Sequence, residues 1–439
     1  MSEPVPTSLC DAAEGIRQGR LCPPDLVELC LDRIARWEPI LQAWVRVEAD
    51  PARREARRRQ AQQAAGQPLG PLHGIPLGIK DILDVANWPT EAGSPLLAGQ
   101  QAARDAPAVA RLRAAGAIFL GKTVTTPFAH FDPAATRNPW NRQHTPGGSS
   151  SGSAAAVATR MCWGALGYQT GGSIIRPAAY CGIAGLKPTH GLIDTRGVVS
   201  LSRHLDHLGP LAPRVADLRL LLSVLADQDL RRQPLSQPPP LFVIQDPWIE
   251  QADAAVQAAT HAALERLERA GAALQPLLLP PAFRSLHAMH RLLLAVETAE
   301  NHFSSFAQNA DSYTPEMAAL IEEGLATAAI DYSLALRHQE LFQQQWTDLL
   351  QDGRIAIMPS TTTPAPAGLQ STGDPAFASP WSYAGCPALN IPCGLAPGRL
   401  PCGLQLIAAA GHDANLLNTA EWCETVLDFS FLPDLEGSP

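Results

Sequence analysis

GIPLGIKDILDV (74–85) and GAIFLGKT (116–123) carry the clearest information about the fold. Both are short apolar runs bounded by Gly, Pro, Asp or Thr, a pattern typical of buried strands. Between them, APAVARLRAAG (106–116) has apolar residues at helical spacing and ends on glycine, which predicts a helix. Because strand, helix and strand alternate here, the sequence predicts an α/β layered fold with a largely buried sheet.

Helices are predicted on both sides of these strands. CPPDLVELCLDRIARWEPILQAWVRV (22–47) has prolines near its start and apolar residues at helical spacing, and the polar stretch 52–66 predicts an exposed helix. SAAAVATRMCWGAL (153–166) predicts a further helix, with Ser153 as its N-cap.

The second half of the chain predicts a helical region inside the same domain. A proline-rich linker, RRQPLSQPPP (231–240), precedes it, and residues 251–350 are mostly helical in pattern. Strand character occurs on both sides of the helical region, in segments 241–245, 354–360, 388–394 and 402–408. We therefore predict one interrupted α/β domain rather than two independent domains.

Composition excludes several classes of partner. The chain has 439 residues, of which 46% are hydrophobic and 17% charged, as in a well-buried globular protein. A formal net charge of −9 argues against a nucleic acid or an anionic membrane held by bulk electrostatics. The N-terminal residues lack a signal-peptide pattern, and no apolar run approaches membrane-spanning length, so we expect a cytoplasmic protein.

Metal and cofactor motifs are also missing from the sequence. Nine cysteines are scattered without a CxxC pair, so neither a zinc site nor a disulfide framework is indicated. There is no HExxH motif, and HLDH (204–207) is more typical of a solvated loop than of a ligand pair. GAIFLGKT matches the phosphate-loop pattern, but its intervening residues are themselves the strand and no helix follows. We expect no metal and no cofactor.

Lysine usage directs attention to one part of the chain. Of 33 basic residues, only Lys80, Lys122 and Lys187 are lysines. Arginine keeps its proton at any useful pH, whereas a desolvated lysine can lose it. A position that remains lysine in such a chain is a candidate for a titratable amine.

Three segments together suggest acyl-transfer chemistry. They are GIKD (78–81), PGGSSSGS (146–153) and GYQTGGSIIRP (167–177). Cleavage of an amide needs a hydroxyl nucleophile, a proton acceptor and donors for the developing oxyanion. Thr170, Gly171 and Gly172 directly precede Ser173, and glycines would let successive N–H groups converge beside its oxygen. No histidine has comparable surroundings in the sequence, so a Ser-His-Asp triad is poorly supported.

The sequence resembles the amidase-signature family. PGGSSSGSAAAVA followed by GYQTGGSIIRPAAYCGIAGLKPTHG carries the resemblance, and it extends from about residue 8 to residue 424. The resemblance implies a single large α/β domain with a central mixed sheet covered by helices on both faces. Within it we expect N-terminal helices at 8–66, a catalytic core at 70–230, a helical insert at about 251–350 and returning strands at 354–430.

The resemblance also implies a Ser-cisSer-Lys triad. Ser173 would attack the amide carbonyl, Ser149 would relay protons from a cis peptide position, and Lys80 would act as a neutral base. Burial of Lys80 in its apolar strand would lower its pKa in the required direction. Thr170, Gly171 and Gly172 would form the oxyanion hole.

Two departures from the family pattern affect the expected specificity. Gln169 stands where an acidic residue is common, and Arg176 comes three residues after Ser173 rather than two. The second variant resembles the malonamidase-like branch, in which an arginine binds a substrate carboxylate. Arg176 can equally be a structural salt-bridge residue. Tyr168 either narrows the substrate pocket or packs in the core.

Three functions are compatible with these residues. The leading hypothesis is an amidohydrolase for a small linear amide or ureido compound, which the resemblance would allow to be a homodimer. The second is a glutamine-hydrolysing amidotransferase component that works with partner subunits on charged tRNA. The third is a catalytically silent binding or scaffold protein, against which the filled triad positions argue.

Overall fold

A single mixed sheet runs through the computed structural model, which describes residues 6–436. The sheet has 11 strands in the order β1-β3-β2-β4-β6-β5-β10-β11-β9-β7-β8. In chain order the strands are β1 Trp44–Val47, β2 Pro76–Lys80, β3 Ile118–Thr123, β4 Gly164–Gln169, β5 Ala184–Lys187, β6 His207–Ala212, β7 Leu241–Ile244, β8 Leu274–Leu277, β9 Ile355–Pro359, β10 Ala388–Leu395 and β11 Pro401–Ile407.

Helices flank this sheet, so the predicted α/β fold with a central mixed sheet is confirmed. In chain order they are α1 Leu9–Arg17, α2 Pro23–Leu41, α3 Ala49–Ala64, α4 Pro107–Ala114, α5 Ser151–Ala158, α6 Ile175–Cys181, α7 Val215–Ala226, α8 Ala254–Arg269, α9 Leu286–Asn309, α10 Pro315–Ala326, α11 Ala329–Leu349, α12 Ser379–Tyr383 and α13 Asp413–Leu427. No helix within residues 6–436 is both long and apolar enough to cross a bilayer.

Strand direction changes across the sheet. β2 pairs in parallel with both β3 and β4, and β7 pairs in parallel with β8 and β9. The pairs from β4 through β6, β5, β10 and β11 to β9 are antiparallel. Every residue of β2, β3 and β4 is buried, which explains why these strands are continuous apolar runs rather than alternating ones.

The predicted helix over 22–47 is too long. α2 ends at Leu41, Gln42 adopts a left-handed conformation with φ 51°, and Trp44–Val47 forms β1. β1 pairs antiparallel with β3, so sheet pairing decides the conformation of this stretch rather than helical periodicity. The Glu38 carboxylate accepts the backbone N–H groups of Ala43 and Trp44, which stabilises the change of direction.

The predicted helix over 153–166 is also wrong in its second half. α5 ends at Ala158, and β4 begins at Gly164, where it pairs with β2. Ser153 is not the N-cap, because α5 begins two residues earlier. The Ser153 hydroxyl instead donates to the backbone oxygen of Leu166, which ties α5 to β4.

The sheet continues into the predicted helical insert. β8 lies within residues 251–350 and pairs with β7, and β7 joins the sheet through β9. α10 and α11 then both pack against α9. The predicted division of the domain into N-terminal helices at 8–66, a catalytic core at 70–230, an insert at about 251–350 and returning strands at 354–430 stays a prediction.

Candidate active site

Lys80 ends β2, the third strand from one edge of the sheet. Its side chain is fully buried, with Nζ 2.7 Å from the Ser149 hydroxyl and 3.0 Å from the Ser150 hydroxyl. Within residues 6–436 no carboxylate lies within ion-pair distance of this amine. Burial lowers the pKa of Lys80 well below its ordinary value, and the negative charge of Asp206 opposes this effect only in part. The amine is therefore in surroundings that favour its neutral form.

The Gly/Ser loop positions Ser149 against Lys80. The Gly148–Ser149 peptide bond is cis, as the family resemblance implies. The Ser149 carbonyl accepts the backbone N–H of Thr126 at 3.3 Å. A side chain at Gly152 would place its Cβ 2.1 Å from the Ala43 carbonyl oxygen, so only glycine lets the first turn of α5 pack this closely.

Ser173 lies in the loop between β4 and α6 and is 8% exposed. Its hydroxyl has no hydrogen-bond partner in the part of the chain that the structure describes. The Gln169 side-chain oxygen accepts the backbone N–H groups of Ile174 and Ile175 at 2.9 and 3.0 Å, which closes the loop around the serine. No hydrogen bond joins Ser149 to Ser173 among these residues, so that half of the relay stays a prediction.

The segments before and after Ser173 nevertheless lie against the Gly/Ser loop. The Arg176 side chain donates to the Gly148 carbonyl at 2.8 Å. The Ser150 hydroxyl bonds to the backbone of Tyr168, accepting its N–H at 3.2 Å. The fold thus brings together the three segments that the sequence singled out.

Two carbonyl oxygens of the predicted oxyanion loop, those of Thr170 and Gly171, are hydrogen-bonded to side chains from other segments. The Thr170 hydroxyl donates to Asp206 at 2.5 Å, and His290 Nε2 lies 3.2 Å from the Thr170 carbonyl oxygen. The Ser382 hydroxyl donates to the Gly171 carbonyl at 3.2 Å. The N–H groups of Thr170, Gly171 and Gly172 have no acceptor among residues 6–436, which leaves them free to donate.

The reason expected for the two glycines is wrong. Neither Gly171 nor Gly172 has a positive φ, so a sharp turn does not require them. A Cβ at Gly172 would lie 3.3 Å from Pro375 Cβ, so the close approach of another segment favours glycine there. A Cβ at Gly171 would meet nothing closer than 3.6 Å, so its absence leaves space beside the loop.

Asp206 organises the rear of the site. Its buried carboxylate accepts five hydrogen bonds, from the hydroxyls of Tyr168, Thr170 and Ser200 and the backbone N–H groups of Leu201 and Ser202. Burial raises the pKa of Asp206, and these donors act in the opposite direction. No sequence signal marked Asp206 as part of this site, although it lies inside the HLDH motif, whose only suggested role was metal binding.

Arg176 lies in α6 and is 1% exposed. Its Nη2 bonds to Gly148 and to the Thr372 hydroxyl at 3.1 Å, whereas its Nε and Nη1 find no hydrogen-bond partner among the described residues. Among residues 6–436 no acidic side chain forms an ion pair with it. Burial lowers the pKa of Arg176 to about 10, so the guanidinium stays charged at neutral pH.

Tyr168 lies on β4, buried, with its hydroxyl donating to Asp206 at 2.6 Å. Burial raises the pKa of Tyr168 well above its ordinary value, so the phenol stays protonated. A role in narrowing the pocket stays a prediction.

A possible cation site lies elsewhere in the chain. Ligand atoms of His130, Asp132 and Glu316 lie within 4.8 Å of one another, but Glu316 is exposed and Asp132 already accepts the Thr314 hydroxyl at 2.8 Å. The nine cysteines are all free.

Comparison with known proteins agrees with this geometry. The profile of the family described as Amidase matches residues 25–417. The chain is 33% identical to a glutamyl-tRNA(Gln) amidotransferase subunit from Chloroflexus aggregans, over 97% of each chain. A crystal structure of an amidase has a TM-score of 0.88 at 30% identity, covering 95% of this chain and 99% of that one. The native peptide amidase from Stenotrophomonas maltophilia has a TM-score of 0.84 at 28% identity, covering 99% and 100%.

Proposed function

Because the chain belongs to the amidase-signature family, we propose that it hydrolyses the C–N bond of a small amide or ureido compound through an acyl-enzyme on Ser173. One observation carries the proposal. The Lys80 amine is fully buried and its side chain bonds only to the hydroxyls of Ser149 and Ser150 among the described residues. A buried amine with neutral partners favours the unprotonated state, which a general base requires.

In the proposed reaction, the proton of Ser173 passes to Ser149 while Ser149 gives its own proton to Lys80. The Ser173 oxygen bonds to the amide carbon, and the carbonyl oxygen becomes an oxyanion that accepts N–H groups of the 170–172 loop. When the C–N bond breaks, the proton returns along the same relay to the leaving amine. Water then attacks the ester carbon and gives a proton to the relay, the bond from that carbon to the Ser173 oxygen breaks, and the relay returns the proton to this oxygen as the acid product leaves.

Arg176 supports a substrate that carries a carboxylate, as in the malonamidase-like branch. Its Nε and Nη1 are buried without partners in the part of the chain that the structure describes, and an unpaired buried donor costs free energy. A substrate carboxylate could accept a charge-assisted hydrogen bond from Nη1, which is stronger than a bond between neutral groups. The salt-bridge alternative has no acidic partner in the described structure to support it.

The first experiment tests the nucleophile. We expect a fluorophosphonate probe to label the wild-type protein at Ser173, and the Ser173→Ala variant to lose both labelling and amide hydrolysis. Absence of labelling in a folded wild-type protein would remove the proposal and favour the silent binding or scaffold protein.

The second experiment tests the carboxylate. Monoamides of short dicarboxylic acids are compared with the matching diamides, which have nearly the same shape without the charge. In Arg176→Met we expect kcat/KM to fall about 10- to 100-fold for the monoamides, as expected for a hydrogen bond to a charged group. The diamides serve as the internal control and should change little. Equal losses for both series would contradict carboxylate binding.

The amidotransferase component is the second candidate function. It is favoured by the 33% identity and 97% coverage of the Chloroflexus aggregans relative. It predicts that glutamine is hydrolysed efficiently only when partner subunits are present. Efficient turnover of small amides by the isolated chain, without stimulation by such partners, would exclude it.

A further inference from the structure

Two carbonyl groups of the oxyanion loop are held from outside the loop. His290 on α9 bonds to the Thr170 carbonyl, and Ser382 on α12 bonds to the Gly171 carbonyl, each at 3.2 Å. Both anchoring side chains are buried, with His290 7% exposed and Ser382 fully buried. The anchors come from two segments that are distant from the loop in sequence.

Because the peptide group is planar, fixing the direction of a carbonyl also fixes the direction of the N–H group of the next residue. In a planar trans peptide, the carbonyl of one residue and the N–H of the next point in opposite directions. A bond from His290 to the Thr170 carbonyl therefore sets the direction of the Gly171 N–H. A bond from Ser382 to the Gly171 carbonyl sets the direction of the Gly172 N–H in the same way.

We propose that His290 and Ser382 are positioning residues that aim the Gly171 and Gly172 N–H groups at the substrate oxyanion. This inference rests on the proposed acyl-enzyme function. It assigns no contact with substrate to either side chain. A donor that is held in place before the reaction needs no reorganisation when charge develops, and this is the source of its effect on rate.

The protonation state of His290 fits this role. A carbonyl oxygen only accepts, so Nε2 of His290 must carry the proton. Burial lowers the pKa of His290 to about 4, so the ring is neutral at working pH.

Gln169 directs the proton of Ser382. The Gln169 side-chain nitrogen donates to the Ser382 hydroxyl at 3.1 Å, which leaves the serine proton for the Gly171 carbonyl. A carboxylate at position 169 could not donate and would itself attract the serine proton. Glutamine at this position, where the family often has an acidic residue, thus helps Ser382 to hold the Gly171 carbonyl.

Two substitutions of His290 distinguish the effect of its N–H donor from the effect of the ring's shape. His290→Gln keeps an N–H at similar reach and loses the ring, whereas His290→Phe keeps the ring and loses the N–H. The assay follows 4-nitrophenyl acetate and one amide that the wild-type protein hydrolyses. We expect kcat to fall about 10-fold or more in His290→Phe and in Ser382→Ala, with KM nearly unchanged. Deleting a whole oxyanion donor costs about 10²- to 10³-fold, so a misdirected donor should cost less.

His290→Gln should retain kcat within about fivefold, since most of the donor orientation is preserved. Gln169→Glu should behave like Ser382→Ala. The matched control is His302→Phe, which removes another buried histidine of α9, one that bonds to the Tyr313 hydroxyl at 3.1 Å instead of the loop. The control should retain wild-type kcat.

The outcomes distinguish this inference from the proposed function. If the wild-type protein is labelled at Ser173 and turns over, but His290→Phe and Ser382→Ala keep wild-type kcat, only the positioning role is overturned. It is also overturned if His290→Phe is active and His290→Gln is not, because shape then matters rather than the donor. If Ser382→Ala does not fold, the His290 pair decides. A wild-type protein without Ser173 labelling overturns the proposed function itself.

Discussion

Two buried lysines on adjacent strands have opposite surroundings. Lys80 ends β2 and Lys122 lies one position before the end of β3, and both are fully buried. Lys122 forms an ion pair with Asp81 at 2.7 Å and also donates to the Pro89 carbonyl at 2.9 Å. Between residues 6 and 436 the Lys80 amine has only hydroxyl partners.

The difference shows that the partner, not burial alone, decides the charge of an amine. Burial lowers the pKa of both lysines, but at Lys122 the neighbouring Asp81 carboxylate acts against this effect. A charged pair remains tolerable in a low-dielectric interior because the two charges compensate each other. Without such a partner, the neutral amine is favoured. Lys122 is therefore suited to holding the fold, and Lys80 to accepting a proton.

Replacement of Lys80 should give the largest effect. In Lys80→Met we expect kcat/KM to fall about 10²- to 10⁴-fold, the contribution of a general base. Stability should change little, because a side chain of similar length replaces a neutral one. Initial rates and thermal unfolding measure the two quantities. Lys187→Met, which removes another fully buried lysine, is the control and should keep its activity.

Replacement of Lys122 should act on stability. Lys122→Met leaves Asp81 buried without its cation, and we expect the free energy of unfolding to fall by about 3–5 kcal/mol. The double variant with Asp81→Asn should recover much of the loss, because no uncompensated charge remains. Denaturant unfolding provides the measurement. A small loss in the single variant, or no recovery in the double, would contradict the role of the pair.

Lys187 provides an intermediate case. Its amine bonds to the Cys386 carbonyl, and burial lowers its pKa to about 8. The unfolded chain binds this proton more tightly, so the stability of the wild-type protein should rise with pH between about 8 and the ordinary lysine pKa. Lys187→Met should be the more stable protein at pH 7, by about 2 kcal/mol after loss of the carbonyl bond. The extra stability of the variant should disappear above this pH range. Denaturant unfolding of both proteins at several pH values measures the difference.

The pH profile should give the smallest effect. Since the proposed base must be neutral, kcat/KM should fall as pH decreases through the pKa of Lys80, which burial places below the ordinary lysine range. The charge of Asp206 raises this pKa, so in Asp206→Asn the fall of kcat/KM on the acid side of the profile should occur at lower pH. This measurement uses the activity that the variant retains. A limb that moves to higher pH would show that Asp206 does not act on Lys80 through its charge.

The accuracy of the sequence predictions follows the range of the interactions involved. β3 and α4 were predicted within two residues of their observed bounds, because their patterns are local and strongly periodic. The start of β2 was predicted equally well, but the predicted segment continued five residues beyond its end at Lys80. β1 and the start of β4 were mistaken for helix, because their conformation depends on pairing with β3 and β2. His290 and Ser382 carry no local signal, since each acts on a loop more than 100 residues away in the chain.

Residue type and spacing were enough to predict the α/β alternation, the three segments that carry the candidate chemistry, and the small set of lysines that includes Lys80. These features are fixed along the chain, so they can be read without knowing how it folds. Only the folded chain showed which lysine has a carboxylate partner and which has hydroxyl partners. It also showed which side chains hold the carbonyls of the predicted oxyanion loop. Charge state and donor direction depend on atoms within a few ångströms, and in this fold most of those atoms come from distant parts of the chain.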